Sequence, residues 1–132
     1  MRFEGWEKLL QQHIKTAKDI TFEWGKHDCA LWCADWVNIA TGVDHASKWR
    51  GLYTTRIELD VVLAKLGYDS VDAIADELAP SMHQAFAQRG DIVKHPIYDS
   101  LGICDGILTV FLTEKGIIKV RTVDCVKAWK VR

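Results

Sequence analysis

The stretch that most constrains this chain is residues 22–37, where a Trp-Gly turn is followed by Asp28, Cys29 and a mostly apolar run. Asp28 is a typical N-cap, and Gly42 is a typical C-terminal stop, so we predict a helix over 28–41. Cys29 then lies in the first helical turn, where unpaired N–H groups and a partial positive charge favour a thiolate. The segment predicts a cysteine nucleophile presented at the start of a helix.

The remaining sequence predicts helices first and a sheet afterwards. Apolar residues at helical spacing and stop signals predict further helices over 4–18, 54–66 and 71–78, with one more turn in 82–88. From Gly90 onward, β-type runs predict strands over 91–94, 101–104, 107–112, 117–121 and 126–131. Asp105-Gly106 is a two-residue hairpin signal. We therefore predict an α+β fold, with the helices packed on an antiparallel sheet, as a single domain over residues 1–132.

Composition excludes several classes of function. The net charge is −1, and Lys and Arg are spread along the chain, so we expect no nucleic-acid partner, because such proteins carry a basic face. No apolar run reaches the roughly 18 residues of a membrane span. The first residues lack a signal-peptide pattern, which predicts synthesis in a cytoplasm. No motif indicates a cofactor.

Four cysteines, Cys29, Cys33, Cys104 and Cys125, leave one metal alternative open. Cys29 and Cys33 are four residues apart on one helical face, and the other two lie in the predicted sheet half, which would pack against that helix. Tetrahedral thiolate coordination of zinc or an iron–sulfur cluster is chemically reasonable for such a set. Free cysteines are also among the most buried residue types, so core packing is the simpler interpretation.

A helix-borne Asp-Cys pair followed by an antiparallel sheet resembles the NlpC-type cell-wall cysteine peptidases, which have a compact papain-like fold. Asp28-Cys29 matches the first family motif, although Ala30 and Leu31 replace the usual Ser-Gly. The segment 89–93 matches the Gly-Asp strand, and 100–103 matches in form the strand that supplies the catalytic histidine. The resemblance implies a papain-like fold over about residues 22–130.

The chain is more closely similar to a group of small phage and prophage tail proteins. The ordered matches are Trp24-Gly-x-x-Asp-Cys29, Thr41-Gly-x-Asp44, Arg50-Gly-x-Tyr53, Gly90-Asp91, Leu101-Gly102 and a C-terminal Trp followed by Lys130-Val131. This resemblance implies a tail-tip or tail-assembly role, other tail-tip proteins as partners, and location in the virion tail tip after synthesis in the host cytoplasm.

One departure from the peptidase pattern bears directly on activity. The resemblance places the catalytic histidine at position 100, and this chain has Ser100 there. A serine cannot act as a general base near neutral pH. His27 and His95 are the candidate replacement bases, because His27 is close to Cys29 in sequence and His95 follows the Gly-Asp strand.

Two functions therefore stand as predictions. The first is a structural or assembly protein of a tail tip on a degenerate cysteine-peptidase fold. The alternative is a peptidoglycan-cleaving endopeptidase that uses Cys29, helix-start N–H groups as oxyanion donors, and an unusual base. Residues predicted to shape the cleft or to contact partners are Trp24, Asp28, Trp49, Arg50, Tyr53 and Asp91.

Overall fold

The computed structural model describes residues 2–132 and shows four helices followed by a six-stranded sheet. The helices are α1 (Trp6–Ala17), α2 (Cys29–Thr41), α3 (Arg56–Lys65) and α4 (Val71–Leu78). The strands are β1 (Ser81–Met82), β2 (Ile92–Lys94), β3 (Leu101–Cys104), β4 (Leu108–Thr113), β5 (Gly116–Arg121) and β6 (Lys127–Trp129). Short 3-10 turns lie at Gln84–Phe86 and Thr122–Asp124.

The sheet is antiparallel throughout, in the order β1-β6-β2-β3-β4-β5. Alternate residues of each strand face opposite sides, as the pleat requires. Ile92, Leu101, Ile103, Val110 and Leu112 join the helices in the main core. Val93, Cys104, Phe111, Cys125 and Ala128 form a smaller cluster on the other side. The main core therefore lies between the sheet and α2, which is buried along most of its length.

Local sequence signals explain where α2 and α3 begin. The Asp28 carboxylate accepts a hydrogen bond from the Leu31 backbone N–H, and the Thr55 hydroxyl accepts one from the Glu58 backbone N–H. Gly42, at φ +84°, ends α2 in the left-handed conformation that glycine adopts without strain. These caps fix the position of Cys29 as the first residue of α2.

The predicted α+β class is confirmed, with differences at a few boundaries. The turn predicted in 82–88 is a 3-10 turn over Gln84–Phe86, and it is preceded by β1, which was not predicted. A two-residue strand carries no period of its own, and β1 exists because Ser81 and Met82 pair with β6, far along the chain. Across residues 2–132, no helix has the length and apolar character that crossing a membrane requires.

Candidate functional site

A buried carboxylate holds the turn that presents Cys29. Asp28 is fully buried, and its Oδ1 accepts the Leu31 backbone N–H at 2.9 Å. Its Oδ2 accepts the Gly25 backbone N–H at 3.0 Å and the Tyr53 hydroxyl. Burial, followed by the charge and the hydrogen bond of Asp28, raises the pKa of Tyr53 far above its usual range. Asp28 therefore joins the Trp-Gly turn, α2 and the 50–53 loop.

Gly25 is where the turn and the 50–53 loop touch. Its φ is +86°, and a Cβ built there would lie 2.0 Å from the Tyr53 backbone oxygen. The Gly51 backbone N–H also donates to the Gly25 carbonyl at 3.0 Å. The Trp-Gly and Arg-Gly-x-Tyr motifs are thus two halves of one packed contact.

Arg50 and Trp49 complete this contact from the loop side. Arg50 donates from Nη2 to Asp35 at 2.7 Å and to Asp44 at 3.2 Å, which explains the presence of an Asp in the 41–44 motif. Trp49 is 1% exposed and stacks on Tyr53 with ring centroids 6.5 Å apart. Three residues that were predicted to shape a cleft or to contact a partner are therefore buried and stabilise the fold: Asp28, Trp49 and Tyr53.

A cavity of about 680 Å³ opens where the start of α2 meets the end of the sheet. Three predicted site residues, Cys29, His95 and Ser100, line it together. Trp24, also predicted, forms part of its aromatic wall and packs edge-on against Phe22 at 4.8 Å. Three of the residues singled out in the sequence, a cysteine, a histidine and a serine, thus meet in one cavity.

Cys29 is held in its thiol form. Burial is the largest influence on its pKa and raises it, and the charge of Asp28 raises it further. The Ser100 hydroxyl and the Leu101 backbone N–H act in the opposite direction, because they stabilise the thiolate. The pKa of Cys29 is raised on balance, because desolvation outweighs the groups that stabilise the thiolate. The structure therefore does not agree with the prediction that the helix start favours a thiolate.

One ring nitrogen of His95 accepts hydrogen bonds from the backbone of its own loop. Its Nδ1 lies 3.0 Å from the Ile97 backbone nitrogen and 3.1 Å from that of Tyr98, and it accepts from both. A neutral imidazole has one acceptor nitrogen, so Nε2 carries the proton here. Burial also lowers the pKa of His95. A group in this state donates through Nε2 and has no free lone pair with which to take the Cys29 proton.

The other predicted residues lie apart from this cavity. His27 is exposed and does not line it. Asp91 is fully buried and accepts from Arg2, Arg132 and the backbone of Gln88 and Val131. Cys29 and Cys33 belong to the main core, whereas Cys104 and Cys125 belong to the cluster across the sheet. Within residues 2–132, no three metal-binding side chains converge, so the four thiols do not form one metal site.

The rim of the cavity includes charged residues that sequence reasoning missed. Arg56 pairs with Asp99 at 3.1 Å, and Lys94 reaches the same carboxylate at 3.4 Å. The Arg56 guanidinium also lies 6.0 Å from the centroid of the Trp24 ring. Arg56 is the first residue of α3, and Asp99 is in the loop between β2 and β3. No local motif joins two such distant positions, so only the folded chain reveals the pair.

The fold and the site define an α+β protein in which a buried thiol at a helix start shares a cavity with a serine and with a histidine whose Nδ1 accepts from its own loop. The chain belongs to the family described as "Domain of unknown function (DUF6950)", whose family model matches residues 1–131. No curated protein and no solved structure matches the chain.

Proposed function

We propose that this protein is a structural or assembly component of a phage or prophage tail tip, built on a papain-like fold of the NlpC type without working cysteine chemistry. The order of elements supports the fold: Asp28-Cys29 opens a helix, and the Gly90-Asp91 strand and the strand after Ser100 follow in an antiparallel sheet. The ordered tail-protein motifs support the role.

The observation that carries the proposal is that Cys29 and Ser100 line the same cavity. The cavity thus presents a hydroxyl at the position where the resemblance puts an imidazole. A hydroxyl cannot take the thiol proton near neutral pH, and burial keeps that thiol protonated. The one histidine that lines the cavity has its acceptor nitrogen in use. Among residues 2–132, the cavity therefore holds no imidazole with a free acceptor nitrogen that could take the Cys29 proton.

The motif residues support a role that does not depend on catalysis. Gly25, Asp28, Tyr53 and Arg50 make buried or half-buried contacts that hold α2 against the 50–53 loop. Such contacts are needed for the shape of the domain whether or not Cys29 reacts. A chain that serves as a scaffold would keep them.

One observation favours the alternative, a peptidoglycan endopeptidase. Cys29 and His95 line the same cavity, so a change of the 95–98 loop that freed Nδ1 would give a thiol and an imidazole in one site. Apo enzymes often show loose catalytic geometry that tightens on binding. The two functions differ in whether the Cys29 sulfur is needed.

The experiment is complementation of a phage or prophage from which this gene has been deleted. We expect the deletion to stop tail assembly, and the wild type, Cys29→Ala and the control Cys33→Ala to restore complete tails. Cys33 is a suitable control because it is buried one turn further along α2 and does not line the cavity. Tails are counted by electron microscopy, and purified tails are analysed by mass spectrometry.

Complete tails in the deletion strain, with the protein absent from wild-type tails, would overturn the assembly role. Digestion of purified peptidoglycan by the same three proteins tests the alternative. Release of muropeptides by the wild type and Cys33→Ala, but not by Cys29→Ala, would establish a cysteine hydrolase.

A further inference from the structure

Strand β5 forms one edge of the sheet and leaves part of its backbone unpaired. It follows β4 in the sheet order and has no neighbour on its other side. The Thr122 backbone N–H donates to the Ile107 carbonyl at 2.8 Å, in register with the β4–β5 ladder. Hydrogen-bonded and non-hydrogen-bonded pairs alternate along an antiparallel ladder. The N–H and C=O groups of Ile117 and Lys119 and the N–H of Arg121 therefore point away from β4, along the open edge. The Arg121 carbonyl accepts from the Cys125 thiol instead.

The two faces of β5 differ in chemistry. Ile117, Lys119 and Arg121 are in register with Leu112, Val110 and Leu108, so they point to the helix side of the sheet. Ile118 and Val120 are in register with Phe111 and Thr109 and point to the other side. Ile118 is 37% exposed, and Val120 is half-buried against the smaller core cluster. The open edge thus has a basic face and an apolar face.

On the basic face, the charge of Lys119 is not neutralised by the described part of the chain. Among residues 2–132, Lys119 makes no ion pair, and Arg121 pairs with Asp124 at 3.2 Å through exposed side chains. Exposed pairs of this kind are weak, because solvent screens them. Both cations are therefore available to a carboxylate on an added strand.

A second copy of this chain fits the edge poorly. When two β5 strands pair antiparallel at the edges of one continuous sheet, residues opposite each other point to the same face. Odd-numbered residues therefore lie opposite odd-numbered ones, and even-numbered residues opposite even-numbered ones. In the two registers of this kind with at least five paired residues, the Lys119 side chains of the two copies lie directly or diagonally opposite. Like charges in those positions destabilise a sheet. Lys119 therefore excludes self-pairing, as edge lysines do in other sheets.

We propose that the open edge of β5 binds an extended segment of a partner protein in which acidic side chains alternate with apolar ones. The partner backbone pairs with the N–H and C=O groups of Ile117 and Lys119 and with the N–H of Arg121. Its acidic side chains lie beside Lys119 and Arg121 on the helix side, and its apolar side chains extend the surface of Ile118 and Val120. Main-chain pairing gives affinity and alternate side chains give specificity in this mode of recognition. The inference is independent of the proposed tail-tip role and of Cys29.

The test uses capped ten-residue peptides as probes. The first alternates Glu and Val, the second alternates Lys and Val, and the third has five Glu followed by five Val. Amide chemical shifts and amide hydrogen exchange of the full chain are followed by NMR. We expect the alternating acidic peptide to bind and to protect the amides of Ile117, Lys119 and Arg121. We expect binding to be at least tenfold weaker for the other two peptides, and weaker at high salt.

Two variants separate backbone pairing from charge. Lys119→Pro removes an N–H that the β4–β5 ladder does not use. The edge then lacks a donor for an added strand while the sheet remains, as circular dichroism can verify. Lys119→Glu keeps the N–H and reverses the charge. We expect Lys119→Pro to bind none of the peptides, and Lys119→Glu to prefer the alternating Lys peptide. Equal binding of the alternating and block acidic peptides, no binding of any peptide by the wild type, or a dimer of the wild type in sedimentation would overturn the proposal.

Discussion

At the scale of single residues, burial decides the chemistry of Cys29. A helix start lowers the pKa of a thiol only when solvent or a cation can stabilise the thiolate. Here Cys29 is only 6% exposed, and the carboxylate that caps the helix lies next to it. The same Asp28 that positions Cys29 therefore opposes its ionisation.

This argument predicts that Cys29 reacts slowly with iodoacetamide. At pH 7.5 we expect a rate at least tenfold below that of glutathione, rising as the pH approaches the elevated pKa of the thiol, because only the thiolate attacks. Ser100→Ala removes a hydroxyl that favours the thiolate, so its rate should be lower still. Peptide mass spectrometry measures each cysteine separately, and the urea-unfolded chain is the control, since all four thiols react there. Faster alkylation of Cys29 than of glutathione would contradict the account.

The residue scale also shows what the sequence could and could not predict about the site. Cys29 and Ser100 were both singled out in the sequence as members of short motifs, and both line the cavity. The state of His95 was out of reach, because it depends on how the backbone of Ile97 and Tyr98 turns back on the ring. The Arg56–Asp99 pair was missed for a similar reason, since 43 residues separate its members.

At the scale of elements, the helices were predictable from local signals, because α1 and α4 are amphipathic and α2 and α3 begin at side-chain caps. Helix α4 was predicted at its observed limits, and α2 within one residue. The long strands were also predictable, because turn signals at Asp105-Gly106 and Lys115-Gly116 separate apolar runs. β1 was not, because its pairing with β6 has no local signal. Local physics thus determined most elements, and long-range pairing supplied the rest.

The contact between the Trp-Gly turn and the 50–53 loop leads to a prediction with a matched control. Gly25 and Gly51 both have positive φ, at +86° and +77°, but only Gly25 meets another backbone where a Cβ would lie. Gly51→Ala should lower the free energy of unfolding by about 1–2 kcal/mol, the cost of the left-handed conformation. Gly25→Ala adds the overlap with Tyr53 and should cost about 3 kcal/mol or more. Urea denaturation measures both, and equal losses would show that the overlap relaxes freely.

At the scale of the whole molecule, Asp91 joins parts of the chain that the sheet alone does not. Its Oδ1 accepts Arg2 at 3.0 Å and the Val131 backbone N–H at 3.0 Å, and its Oδ2 accepts Arg132 at 2.8 Å. The neighbouring Gly90 carbonyl accepts the Trp36 indole N–H of α2 at 2.8 Å. The Gly-Asp motif therefore ties the first and last described residues to the central helix. This arrangement gives the Gly-Asp motif a structural role that does not depend on Cys29.

Removing the Asp91 carboxylate should therefore be far more costly than removing a surface one. Asp91→Ala leaves the Arg2 side chain, which is 5% exposed, without its partner, and it also frees the Val131 N–H. Breaking a buried pair in this way typically costs about 3–5 kcal/mol. The control is Asp105→Ala, whose pair with Arg89 is exposed on both sides and should cost about 1 kcal/mol or less. Arg132→Ala should fall between them, because the Arg132 side chain is 27% exposed and Arg2 remains in place. Urea denaturation at pH 7 orders the three variants, and a loss for Asp91→Ala no larger than that for Asp105→Ala would mean that the sheet and α2 hold the two ends without this carboxylate.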